Sequence, residues 1–301
     1  MDWTDLLIGL YLHICEAFEA GVEMHTQRYS NNSKSGEPAF TDQEAVTVYL
    51  FGLLQGQRTV KRVYGYAADH LRSWFPALPS YQKFNERLNR LNGALAAIAQ
   101  YTSHFIKLPH WLEGQRLVDA VVDSFPIILA QGARADSAKV APEVADKGYC
   151  SSKDLWYHGV KLHQLSIRRP GGLPIPQSMM LSAASEHDNT VFKEQIAPHF
   201  RNLRVFGDKI FHDQAGMQYL KEQYNIEVMP CQKRKKGQKH LHADQKLFNT
   251  LVSRARQPVE SFFNWLEEKT GIQYASKVRA TSGLCKHVFG ALAAALFILA
   301  F

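Results

Sequence analysis

Cysteine is scarce and scattered. The four in 301 residues, Cys15, Cys150, Cys231 and Cys285, form no C-x-x-C pair and no disulfide-like spacing, so they read as reduced structural thiols. Zinc-ligand spacing is missing as well, since His240 and His242 have no Cys or further His at a matching distance. No cleavable leader is visible, because acidic residues stand on both sides of the apolar stretch Leu6–Ile14. The most apolar run, the tail "HVFGALAAALFILAF", is shorter than the roughly 20 residues a membrane span needs and is expected to be a core helix. Internal repeats and long low-complexity segments are absent. These gaps argue against a disulfide scaffold, a zinc finger, a repeat array and a membrane partner, and they point to a cytoplasmic protein.

What is present is ample apolar residue content (46%), enough for one large or two modest domains. The net charge of +7 and a pI of about 9.1 favour a polyanionic partner. The first part of the chain reads as helical. Helices are expected over residues 2–28, after a capping box at Thr41 and Glu44 in "FTDQEAVTVYLFGLLQG", across "VKRVYGYAADHL", and over "YQKFNERLNRL". The segment "SNNSKSGEP" reads as a loop. In the last of these helices Tyr81, Phe84, Leu88 and Leu91 share an apolar stripe, while Lys83, Arg87 and Arg90 mostly face away. Such short basic helices suit an all-α, helix-turn-helix-like DNA-binding domain over 1–112, and they equally suit a plain helical bundle with a solvated face.

From about residue 115 the texture changes. A strand is expected over 116–123, followed by a long polar loop. A hairpin then joins "LWYHGVKLHQLSIRR" to "LPIPQSMMLS" through "PGG". A helix near 190–200, the strand "LRVFGD", a helix "DQAGMQYLKEQY", the strand "IEVMP", a basic loop and a long helical end complete the order. That order predicts a mixed α/β fold: an RNase H-like catalytic domain over 113–301 with a mixed five-stranded sheet, ending in C-terminal helices.

Three acids fall at equivalent places in that layout. Asp123 is expected to end the first strand, Asp208 follows the fourth, and Glu260 lies on the late helix. An ionised Asp in a dry strand is costly unless a cation or donors meet it. Three converging carboxylates repel unless cations sit among them, and hard oxygen donors select Mg²⁺ or Mn²⁺. Two such ions about 4 Å apart would suit phosphodiester chemistry. Each acid also has a plainer reading: Asp123 or Asp208 as a turn residue, Glu260 as an exposed helix residue. Asp119 shares a strand face with Asp123 but lies about 13 Å earlier and reads as structural. Asp188 opens a helix and reads as its N-cap. The run Lys233, Arg234, Lys235, Lys236 and Lys239 is either a solvated loop or a phosphate-contacting one.

The stretches "VVDSFP", "KGYCSSKDLWYHGVKLH", "ASEHD", "FGDKIF" and "RQPVESFFNWLEEKTGIQYASKVRATSGLCKHVFGALAAAL" resemble the DDE transposases of bacterial insertion sequences, and more narrowly the family numbered nine-eighty-two. "FTDQEAVTVYLFGLL" and "FPALPSYQKFNERLNRL" extend the likeness toward the N-terminus. The resemblance implies cleavage and joining of DNA strands at transposon ends and assigns the metal-binding triad to Asp123, Asp208 and Glu260. Two divalent ions, terminal inverted repeats, target DNA and a homodimer come with it, in a bacterial cytoplasm on the nucleoid. Arg256 matches the Arg that precedes the Glu in relatives, whereas Ser253 and Glu267 stand where relatives often carry Tyr and Lys. Lys161 and His163 match the "GVKLH" element, as a phosphate contact or as part of a solvated sheet face. Lys277 and Arg279 join Arg256, Lys161, His163, Lys233, Arg234, Lys235, Lys236, Arg87 and Arg90 as expected DNA contacts. Two other readings accompany this one: an RNase H-fold nuclease that cannot join strands, and a DNA-binding protein that has lost catalysis.

Overall fold

The computed structural model describes residues 2–26, 38–108, 110–112, 114–151, 153–234 and 237–301. Most of the expected loop "SNNSKSGEP", together with Lys235 and Lys236, lies outside the described residues. Two compact units emerge, residues 1–107 with 266–301, and residues 108–265. The sequence reading attached the tail to the second domain, whereas its contacts place it in the first unit.

The first unit is helical: α1 (Trp3–Glu19), α2 (Asp42–Leu54), α3 (Val60–His70), α4 (Tyr81–Arg90) and α5 (Asn92–Ser103), joined by the C-terminal helix described below. α1 is shorter than expected, because Gly21 adopts φ 107° and turns the chain after Ala20. The expected capping box is present, with Glu44 N–H donating to Thr41 Oγ1 at 3.1 Å and Thr41 N–H donating to Glu44 Oε2 at 2.6 Å.

The second unit is built on a six-stranded mixed sheet. Its strands are β1 (Val118–Gln131), β2 (Asp146–Cys150), β3 (Leu155–Ile167), β4 (Ile175–Ala183), β5 (Leu203–Gly207) and β6 (Ile226–Pro230). The order is β2-β3-β1-β5-β6, with β4 also on β3. β1 runs antiparallel to β3 and parallel to β5, and β5 runs parallel to β6. This is the RNase H-like arrangement expected from the element order. The sixth strand, β2, arises in the stretch read as loop; it is a short edge strand on the first half of β3. Between β4 and β6 lie α6 (Asp188–Val191), which continues into a π turn over Phe192–Ile196, and α7 (Gln214–Tyr224).

β1 does not stop at Asp123. It continues through Pro126 to Gln131, pairing with β3 throughout. Beyond Val121 its strand partner among the described residues is β3 alone, a setting in which a strand tolerates proline. Ala120, Val121, Val122, Ile127 and Ile128 are buried, so the sheet is covered on both faces.

α8 (Ala243–Thr270) follows the basic loop, and the boundary between the units falls within it. Its Val252, Ala255, Val259 and Phe262 recur at helical spacing and are buried. α9 (Thr281–Ala300) packs on α5 and α2 in the helical unit. It is long and apolar enough to cross a membrane by length and composition, yet residues from Leu284 to Phe297 bury most of it in that core. The backbone of α9 approaches α2 closely at Gly290, where an added Cβ would fall 2.5 Å from the Tyr49 ring.

Candidate functional site

Strand register sets the first two acids level. Val121 of β1 is paired with Phe206 of β5, and two residues further along each strand come Asp123 and Asp208. Adjacent strands lie about 4.8 Å apart, so both carboxylates leave the same end of the parallel pair. Asp208 follows β5 as the cap of a 3-10 turn, its Oδ1 accepting from Ile210 N–H at 2.6 Å. The reading of Asp208 as a turn residue is therefore compatible with its place beside Asp123.

α8 is fixed against β1 by two contacts. Arg256 Nη2 donates to Asp123 Oδ2 at 3.0 Å, and Phe263 stacks on Phe125 with centroids 5.0 Å apart. Residues 256, 260 and 263 fall within about 60° of one another around the helix. Glu260 thus stands on the face turned toward β1, about 6 Å along the axis from Arg256, and is exposed. Pro258, between them, removes one rung of helix bonding, since it has no N–H to give.

Asp123 is 22% exposed and Arg256 13%. Burial pushes the Asp123 carboxyl up to about 6, and the nearby Asp208 charge adds to this. The Arg256 guanidinium and the Ser124 N–H, which donates to Asp123 Oδ1 at 2.9 Å, pull the other way. A carboxylate so placed is costly to ionise without a cation against it. Arg256 supplies one positive charge, and its Nε has no partner among the described residues.

A neighbouring network escaped the sequence reading. Asp188 is not the side-chain cap of α6, for His187 occupies the cap position. Its carboxylate instead accepts from Lys161 Nζ at 2.8 Å and from Ser124 Oγ at 2.8 Å. Lys161 Nζ also donates to the Glu186 carbonyl at 2.7 Å. The only sequence signal for this was the polar residue that follows Asp123 and the alternation of Lys161 with His163 on β3.

The expected DNA contacts are placed unevenly. Lys161 is held in the network just described. His163 is only 2% exposed, with its Nε2 2.7 Å from Ser182 Oγ, so it does not line a solvated sheet face. Burial takes its ring down to about 4; the Asp188 charge opposes this and Lys161 assists it. Arg87 turns inward rather than away. It bonds to the Phe40 carbonyl, pairs with Asp42 at 3.5 Å and lies over the Phe40 ring. Arg90, Lys233, Arg234, Lys277 and Arg279 are exposed. Glu267 accepts from Gln273 N–H at 2.7 Å and approaches Arg58 at 4.0 Å, so it closes the turn after α8. Asp119 is bracketed by Arg204 at 3.4 Å and Arg168 at 3.8 Å, in keeping with a structural part.

A family model described as Transposase DDE domain matches residues 118–294. The chain belongs to that family. No curated protein matches it. The matched span starts at the first residue of β1 and covers all six strands, α8 and most of α9. DDE transposases are DNA-acting enzymes of the nuclease type that generally use divalent metal ions. The donor set here is suited to such an ion: two level carboxylates offer hard oxygen, and one of them is too buried to carry its charge cheaply. Among the described residues, no three His, Cys, Asp or Glu side chains are gathered closely enough to form a ready metal cage.

Proposed function

We propose that this DDE transposase cuts DNA at the ends of its transposon and joins the freed strand to target DNA, with Asp123, Asp208 and Glu260 as its catalytic triad. The observation that carries the reading is the register that brings Asp123 and Asp208 level, with Glu260 on the α8 face pinned to β1. These three side chains would hold Mg²⁺ or Mn²⁺, which when bound supplies an activated water or 3′-hydroxyl and a stabilised leaving oxygen. Arg256 holds Asp123 in place and balances part of its charge, leaving its second oxygen, Oδ1, to the Ser124 N–H. Lys161, through Asp188 and Ser124, steadies the same stretch of β1 from the opposite flank. Hydrolysis would free a 3′-hydroxyl, and that hydroxyl would attack the target strand in line, with no covalent protein–DNA intermediate.

DNA is the partner in this reading, as terminal repeats and as target, and the active complex is a homodimer in the bacterial cytoplasm. Exposed Arg90, Lys233, Arg234, Lys277 and Arg279 would meet backbone phosphates. The test uses duplexes carrying the element's ends. Asp123→Asn, Asp208→Asn and Glu260→Gln should each lower Mn²⁺-dependent cutting by about 10²-fold or more, while end binding in chelator stays within twofold. A pre-cut end with a free 3′-hydroxyl then reports joining: cutting without joining marks a simple nuclease. Equal loss of binding by the three variants would make the acids structural.

A further inference from the structure

The helical unit contains a cleft of about 340 Å³, bounded by the start of α3, one face of α4, the segment 274–280 and the first turns of α9. Its floor is Lys286, 6% exposed. The Lys286 ammonium donates to Asn85 Oδ1 at 3.0 Å and to Asn89 Oδ1 at 2.7 Å, two amides one turn apart on α4. Both partners are neutral. An ammonium buried against amides alone keeps an uncompensated charge, and burial lowers its pKa to about 8.

The rim adds charge of the same sign. Arg58, Lys61, Lys277 and Arg279 line it, and none of the lining residues is acidic. Arg58 reaches Glu267 at 4.0 Å; among the described residues the other three have no carboxylate within ion-pair distance. Arg279 Nη1 is held by the Ser276 and Val278 carbonyls, which fixes the guanidinium at the mouth. Two aromatic faces are also present. Tyr81 is 39% and Tyr274 52% exposed, and Tyr81 is braced by the edge of Tyr64 at 5.6 Å.

Cations without acids attract a polyanion, and exposed aromatic faces between them suit a base that is not stacked in a duplex. The space is about that of a drug-sized ligand or single nucleotide, far too narrow to admit a duplex. We propose that this cleft binds a single-stranded stretch of DNA, with a backbone phosphate above Lys286 and an unstacked base against Tyr81 or Tyr274. The proposal rests on the functional reading above only for the choice of DNA as the polyanion.

The test is fluorescence anisotropy of the full chain in chelator, over a salt series, with a labelled thymidine 12-mer and a duplex of equal length. Lys286→Met should weaken single-strand binding about tenfold and lower its log–log salt slope by about 0.7. Tyr81→Ala combined with Tyr274→Ala should weaken it by a similar factor with the slope unchanged, since stacking carries no counterion. Duplex affinity should stay within twofold in both. Should Lys286→Met disturb the packing of α4 on α9, as read by circular dichroism, the exposed Lys61→Gln replaces it, with a slope loss of about 0.7. Equal losses for duplex and single strand would overturn the proposal, as would unchanged single-strand binding. Because no metal is present, either outcome leaves the test of the triad untouched.

Discussion

Near β1 in the sheet unit, cations are answered by carboxylates: Arg256 by Asp123 at 3.0 Å, Lys161 by Asp188 at 2.8 Å, and Arg204 by Asp119 at 3.4 Å. In the helical unit the floor of the cleft is Lys286, answered by two amides, and the rim holds further cations without acids in its lining. The difference separates two uses of positive charge. Around β1, Arg256, Lys161 and Arg204 balance acids that the chain itself carries, so they are part of what holds β1, β3 and α8 in position. In the cleft Arg58 approaches Glu267, but the counter-charge of Lys61, Lys277, Arg279 and Lys286 has to come from outside. A basic pI alone could not distinguish them, because it counts both kinds alike.

The contrast can be broken most forcefully at His163, a base the sheet unit buries without charge. Its folded pKa of about 4 lies below the ordinary 6.5, so between these values the unfolded chain binds more protons than the folded one. Stability from this group is complete above pH 6.5 and is lost as pH falls toward 4, by up to about 3 kcal/mol. Urea midpoints at pH 7 and pH 4.5 should therefore converge more in His163→Gln than in the wild type. An identical pH slope in the two proteins would show that His163 titrates in the fold as it does in the unfolded chain.

A smaller effect is expected at Arg256. Arg256→Met leaves Asp123 half-buried without its guanidinium, which should cost about 2 kcal/mol of the sheet unit's stability in chelator. The figure is below that for fully buried pairs, because both groups retain some exposure and Asp123 can take up a proton. Adding Asp123→Asn should recover most of it, and the double-mutant cycle measures the coupling. A coupling near zero would place Arg256 among the outward-facing cations instead. The smallest effect belongs to the cleft: Lys61→Gln with Lys277→Gln should change the unfolding free energy by no more than about 0.5 kcal/mol, since no internal acid depends on them. A loss comparable to that of Arg256→Met would dissolve the contrast.

Several of these features could be read from residues alone. The capping box at Thr41 and Glu44 is local, its two side chains three residues apart, so a short window contains the whole interaction. The sequence of strands and the late helix was legible from periodicity. The end of β1 was not, because "SFP" after Asp123 has the composition of a turn; only the pairing partner shows that the strand continues on one side. β2 was missed since five residues with one buried position give no alternation to detect. Arg87 was misjudged for a different reason. A helical wheel orients side chains against their own helix, whereas Arg87 is drawn to Asp42 and Phe40, 45 or more residues away in the chain. Asp188 was mistaken for a cap because its true partners, Ser124 and Lys161, come from other strands.

The level placement of Asp123 and Asp208 has a consequence for how this sequence can change. It depends on the count of residues between Val121 and Asp123 and between Phe206 and Asp208, not on the identity of a loop. Side chains around the pair can vary as long as the ladder persists. A single inserted or deleted residue on either strand, however, would send the carboxylate to the opposite face of the sheet. Divergence at this position is thus open to substitution and closed to changes of length, so drift in chain length is confined to segments off the ladder, such as the basic loop before α8.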